Sequence, residues 1–407
     1  MVIVCLIDKE FCKYLLGRDR LMSSFVKCAR RGPKNCSSIQ ILNALIIETD
    51  DQNDNYLEEY NRFRAELPKN GSLPLIDYYE DVNVGNITIG TPGQTLFLLM
   101  DTGSSNLWII DTNCKRKVCD GYFGNNYTRN KFDRTKSSTF LAKKKAVKLN
   151  YGYGWTKGIL AMDVVSLAGH TIKQQEFVDA TDIGKFFGIM PFDGMFGLGW
   201  PERSLDKITS PMSNLLPMLD APLFTVWMDK RSKNGGNAGL ITFGAIDTKN
   251  CESKIEYVPL STKKTWQFRL DGFSVGDFST SKSEEVLSDS GMPFSAVPHH
   301  IMRALAKQTH ARFDFKHLMY TVDCSTMKSQ PDLVFTINGI NYTVPSEAYV
   351  VDIGFGNGRC ALAFFAKFSG GFGPAWILGN SWIRTYCNIY DFGKERIGFA
   401  KSIHSHV

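Results

Sequence analysis

Apolar and polar residues alternate with period two through Val82-Asn83-Val84-Gly85-Asn86-Ile87-Thr88-Ile89, the spacing of a strand with one buried face. Thr95 to Met100 follows as a nearly continuous apolar run, which predicts a strand buried on both faces. Short runs of the same kind recur at Val147–Tyr151, Ile159–Val165, Phe224–Trp227, Leu240–Phe243, Phe268–Val275 and Val334–Ile337, separated by Gly, Pro, Asn and Asp. Helical spacing is confined to Leu215–Leu219 and His299–Thr309. The pattern predicts a mostly β protein with a few short helices.

Two of the apolar runs end in the same way. Leu98-Leu99-Met100 leads into Asp101-Thr102-Gly103, and Val286-Leu287-Ser288 into Asp289-Ser290-Gly291. Each triplet is followed by two apolar residues and a glycine, Met195-Phe196-Gly197 and Ile377-Leu378-Gly379, at offsets of 197 − 101 = 96 and 379 − 289 = 90 residues. A single triplet reads as a turn after a strand. Two in matched surroundings predict two copies of one lobe, each holding an aspartate on a loop, with a pseudo-twofold axis bringing the carboxyl groups together.

This arrangement resembles the pepsin-like aspartic proteases of the cathepsin D and pepsin type. The likeness runs from about Leu73 to Ala400 and includes Ile89-Gly90-Thr91-Pro92-Gly93-Gln94, Asp101 to Trp108, Tyr151-Gly152-Tyr153-Gly154, Phe192-Asp193-Gly194, Trp266-Gln267, Ile377 to Asn380, and Tyr390-Asp391. It implies a bilobal fold of two pseudo-twofold-related β-barrel lobes with a cleft between them. The expected division is an N-terminal extension or propeptide at 1–72, a first lobe at 73–222 and a second at 223–407. Asp101 and Asp289 are then the catalytic dyad of an aspartic endopeptidase acting on polypeptides and bound by pepstatin-type inhibitors. The chain is expected to act as a monomer without cofactor or metal. Thr102, Gly103, Ser104, Ser290 and Gly291 would support the dyad, Ser104 by donating to Asp101. Tyr151 and Gly152 match a flap that closes over substrate, Trp108 the partner of its tyrosine, and Phe192 and Met195 apolar pocket positions, which implies large hydrophobic residues flanking the cut. Trp155 and Tyr153 would make the flap unusually apolar.

The second triplet departs from the pattern. Met292 stands where relatives usually carry a hydroxyl residue, so Asp289 should lack a donor that Asp101 has. Losing a hydrogen bond to the ionised form raises a carboxyl pKa, which predicts activity at less acidic pH. The same departure leaves open a catalytically silent pepsin-fold binding protein.

Composition narrows the remaining classes. At 407 residues, 43% apolar and 22% charged, the chain can bury two cores, and no apolar run reaches the length of a membrane span. The net charge of +6 and the runs Lys115-Arg116-Lys117 and Lys143-Lys144-Lys145 are read as solvated surface on loops rather than a nucleic-acid interface. Of ten cysteines, the resemblance places Cys114 and Cys119 at a small disulfide loop and Cys324 and Cys360 at a second-lobe bridge; with those taken, Cys251 and Cys387 are expected to pair. Bridges of this kind, with sequons at Asn86, Asn126 and Asn341, point to a secreted or lysosomal protein. Against this, Met1 to Ile7 runs straight into Asp8-Lys9-Glu10, without the longer apolar core of a signal peptide, and Cys5, Cys12, Cys28 and Cys36 have no counterpart in the family. The segment Ser37–Asn70, acidic where family propeptides are basic, is read as a propeptide or a linker.

Overall fold

The computed structural model describes residues 71–78, 82–121, 128–230, 236–367 and 373–404. The extension up to Asn70, with its four cysteines and propeptide reading, and the sequon at Asn126 lie outside the described residues.

Ten strands build the first half and its junction with the second: β1 (Ser72–Tyr78), β2 (Val82–Ile89), β3 (Gln94–Asp101), β4 (Leu107–Ile110), β5 (Leu141–Asn150), β6 (Trp155–Leu167), β7 (His170–Ile183), β8 (Gly194–Gly197), β9 (Leu223–Met228) and β10 (Gly236–Phe243). Strands β2, β3, β8, β4, β7 and β6 follow one another, and pairing of Thr88 and Ile89 with Ser166 and Val165 closes them into a six-stranded barrel. Burial explains why β3 lacks polar alternation. Leu98 and Met100 enter one core cluster while Leu99 enters another that contains Trp108, Val178 and Leu149, so both faces are covered.

Beyond β2 the sheet continues through β1, β10 and β9 to Tyr386–Asp391, Arg396–Lys401 and Glu256–Pro259, so one thirteen-stranded sheet joins the two halves. Where they meet, Trp266 packs among Trp200, Tyr390 and Phe392 at centroid separations of 5.2, 5.0 and 4.6 Å, and its indole N–H donates to Leu198 O at 3.2 Å.

The expected internal repeat is visible in strand pairing. In the first half β3 runs parallel to β8, with Asp101 opposite Gly197, and β8 runs antiparallel to β4, which is itself parallel to β7. In the second, Glu284–Ser288 runs parallel to Trp376–Leu378, that strand antiparallel to Ser295–Pro298, and Ser295–Pro298 parallel to Phe364–Lys367. The two apolar-apolar-glycine segments therefore occupy equivalent places, each beside its own aspartate strand.

Three sequence expectations change. Phe268–Val275 is two strands in different sheets, Gln267–Leu270 and Gly272–Val275, broken at Asp271, whose N–H turns to Thr336 O and whose carboxylate accepts from Gly339 N. The helix read at Leu215–Leu219 lies earlier, at Pro211–Leu215, started by Ser210 capping Ser213 N; Pro217 then admits only a 3₁₀ turn at Leu216–Met218. Lys143-Lys144-Lys145 lies on β5, not on a loop, at the exposed edge of the sheet, where a register irregularity between Ala142 and Ala146 interrupts the ladder. Lysines there discourage pairing with another chain, which gives them a role without nucleic acid.

Among the described residues, three disulfides join Cys114 to Cys119, Cys251 to Cys387 and Cys324 to Cys360, the pairs expected through the resemblance.

Candidate active site

Asp101 closes β3 and Asp289 follows its counterpart strand, and both carboxyl groups are buried, at 6% and 8% exposure. Neither turn is complete alone. Thr102 N donates to Ser290 Oγ at 3.1 Å and Ser290 N to Thr102 Oγ1 at 2.9 Å. Each hydroxyl then reaches the strand opposite, Thr102 Oγ1 to Ser288 O at 3.1 Å and Ser290 Oγ to Met100 O at 2.6 Å. The loop amide, the loop hydroxyl and the strand carbonyl of each half are thus satisfied by the other half, which fixes the loops in one geometry.

The glycines have a steric reason. A Cβ on Gly103 would overlap the Asp289 carboxyl and one on Gly291 the Asp101 carboxyl, so each triplet needs glycine because the opposite aspartate fills that space. With no side chain there, Gly103 N donates to Asp101 Oδ1 and Gly291 N to Asp289 Oδ1, both at 2.9 Å.

The two carboxyls nevertheless differ. Asp101 also accepts from Ser104 Oγ, whose hydroxyl lies 3.6 Å from Met195 Sδ, whereas Met292 offers Asp289 no hydroxyl. Burial raises both pKa values. For Asp101 it is countered by Ser104, by the contact with Asp289 and by Gly103 N; for Asp289 the Asp101 charge and the hydrogen bond between them add to burial, and it stands well above the ordinary carboxyl range. Two unit charges 4 Å apart at an effective dielectric of 20 repel by about 4 kcal/mol, so the pair holds one proton over a wide pH range.

The β5–β6 hairpin, expected from the sequence to act as a flap, is closed by Tyr151 N to Gly154 O at 2.8 Å. Tyr151 and Trp108 do not stack directly. Phe187 packs against both, 5.3 Å from Trp108 and 5.5 Å from Tyr151, and Phe192 meets both Trp108 and Phe187 edge-on at 6.0 and 5.8 Å. The Tyr151 hydroxyl and Trp108 Nε1 are buried and complete no hydrogen bond, although they face each other closely enough for the indole to offset part of the upward pKa shift that burial and the Asp101 charge impose on the phenol. Gly154 approaches the Phe187 ring and leaves no room for a Cβ, whereas Gly152 has open space around it. Phe192 and Met195 are buried in the same core cluster as Trp108.

Trp155 does not add to an apolar flap face. The ammonium groups of Lys148 and Lys157 lie 5.3 and 5.6 Å from its ring, making it a platform for cations at the hairpin base. The apolar contact is made by Tyr153, which meets Phe186 at 5.7 Å and, across the cleft, Phe365 at 6.0 Å. Phe186, Phe187 and Phe365 escape a reading of the sequence because they follow neither strand nor helix periodicity in a way that marks a cleft. The adjacent aromatic pair Phe186-Phe187 directly after a strand is the one signal available.

Comparison with known proteins agrees with this geometry. A family model described as eukaryotic aspartyl protease matches residues 83–402. Aspartic protease 1 of Caenorhabditis elegans is 49% identical over 353 residues, covering 86% of this chain and 89% of that protein; aspartic protease 17 of the same organism is 48% identical over 337 residues, covering 82% and 86%. Human gastricsin is 30% identical over 331 residues, covering 79% and 82%. With matching extent in both directions and a buried pair of Asp-(Thr/Ser)-Gly loops completing one another, the chain belongs to the eukaryotic aspartyl protease family and is an aspartic endopeptidase.

Proposed function

We propose that Asp101 and Asp289 hydrolyse peptide bonds through a water held between them, and that the reciprocal bonding of the Thr102 and Ser290 loops is the observation that carries this reading. Asp101, the better hydrogen-bonded carboxyl, is the ionised member and takes a proton from the water as it attacks the carbonyl carbon. Asp289 gives its proton to the carbonyl oxygen, and proton return through the pair frees the amine. Tyr151 and the hairpin tip close over the peptide and exclude bulk water. The half-exposed rings of Tyr153, Phe186 and Phe365 favour large hydrophobic residues beside the cut. Three disulfides fit a secreted or lysosomal compartment, and Asn341, exposed on its strand, is the sequon best placed for a glycan.

Denatured globin incubated at pH 3 to 7 tests the reading. Cleavage blocked by pepstatin and lost in Asp101→Asn is expected; pepstatin binding without cleavage at any pH would sink it. The profile should also report on the asymmetry of the pair. Met292→Thr restores a hydroxyl beside Asp289, which stabilises its ionised form and moves the acid-side and alkaline-side limits of kcat/KM to lower pH. Superimposable pH profiles for the two proteins would refute the role given to Met292.

A further inference from the structure

Within the cleft the second half places a cation. Phe364–Lys367 pairs with Ser295–Pro298, and on a strand Phe365 and Lys367 point to the same face. Phe365 meets the flap residue Tyr153, so that face looks into the cleft beneath the flap. Lys367 is half-buried there, its ammonium bonded to Pro374 O, and none of the ion pairs among the described residues involves it. A half-buried ammonium bonded to one carbonyl has donors to spare and, among the described residues, forms no close ion pair. It also stands within electrostatic reach of Asp289, each acting on the other's proton affinity.

We propose that Lys367 is a specificity-determining residue that receives an acidic side chain of the substrate on the Asp289 side of the scissile bond. The inference rests on the dyad reading above and names a substrate class for the same cleft: peptides that pair hydrophobic residues at the cut with a nearby Glu or Asp. The flap contact through Tyr153 and Phe365 covers the site, and partial exclusion of water strengthens the attraction beyond that of an exposed ion pair.

Matched peptides differing only in Glu or Gln at successive positions on either side of the cut provide the test, with the Glu/Gln ratio of kcat/KM taken within each protein so that changes in overall rate cancel. At pH 5.5, where Glu is ionised, the wild type should favour Glu about five- to tenfold at one position, mainly through KM. At pH 3 the preference should vanish, since the substrate carboxyl is then protonated. Lys367→Arg should keep the preference, Lys367→Gln should bring the ratio near one, and Lys367→Glu should invert it for a Lys-containing peptide. A ratio near one at every position in the wild type, or an unchanged ratio in Lys367→Gln, overturns the assignment. Failure of the dyad reading would look different: both peptides would still be cut after Asp101→Asn.

Discussion

Asp289→Asn should lower kcat/KM by roughly 10³- to 10⁴-fold while making the folded protein more stable at neutral pH. The activity loss follows from removing the proton donor. The amide introduced in place of the carboxyl can still hydrogen-bond to Asp101, but it has no acidic proton to give to the carbonyl oxygen. The stability gain has the opposite sign because of where the pKa lies. Burial and the neighbouring Asp101 charge raise the Asp289 carboxyl in the folded state, so the native protein holds a proton that the unfolded chain has released. Stability contributed by that proton is intact below the ordinary carboxyl pKa of about 4 and is lost as pH rises through the raised native value. An amide does not titrate and escapes the loss. Thermal melts of both proteins should coincide near pH 3 and separate at pH 7, with the variant higher; coincident melts at pH 7 would show that the pair is not strained by charge.

A second buried carboxyl pair should give a stability effect of its own. Asp111, directly after β4, and Asp179, on the neighbouring β7, are both fully buried in the first barrel. Arg134 holds Asp111 with two N–H groups at 3.1 Å and places Nη1 3.2 Å from Asp179 Oδ2 without completing a hydrogen bond to it. One guanidinium cannot balance two carboxylates. Burial, followed by the Asp111 charge, pushes Asp179 up to about 8 from an ordinary value of 3.8. Because the folded value is the higher one, stability is full below pH 3.8 and declines as pH rises through the window to about 8. At pH 7 the cost reaches at most about 4 kcal/mol, a large share of the stability of a typical domain. Asp179→Asn supplies an amide N–H toward Asp111 in place of the bound proton. It should leave stability at pH 3 nearly unchanged and raise it at pH 7.5 by an amount of this order, measurable as a shift in urea midpoint. Parallel pH dependences for wild type and variant would place the proton elsewhere. For an endopeptidase with a protonated dyad, this pair reinforces folding under acidic conditions.

The readable parts of the sequence are those in which one residue's task is local. Asp101 and Asp289 stand at strand ends beside glycines, and both the repeated order and the class of fold follow from that. The three disulfides are legible only through the family, since the spacing of Cys251 and Cys387 says nothing of the bridge from Cys251 to Ser402 that brings it beside Tyr386–Asp391. Phe187 and Phe365 are not legible. Their importance comes from packing between a flap and elements distant in sequence, and nothing in their local pattern separates them from core. Lys143-Lys144-Lys145 reads as a loop because a charge run obscures the weak alternation of Val147 and Leu149 that continues the strand. Trp155 reads as a cleft residue on hydrophobicity alone, and only the folded hairpin brings Lys148 and Lys157 to share its ring.

The bonds exchanged by Thr102 and Ser290 have the form of a contact between two subunits related by a twofold axis, each giving what it receives. Here both partners belong to one polypeptide, joined through the thirteen-stranded sheet. The association that assembles the two carboxyls is therefore intramolecular, and dilution cannot separate them. The second loop is free to differ from the first, as Met292 does from Ser104, without any requirement that both halves change together.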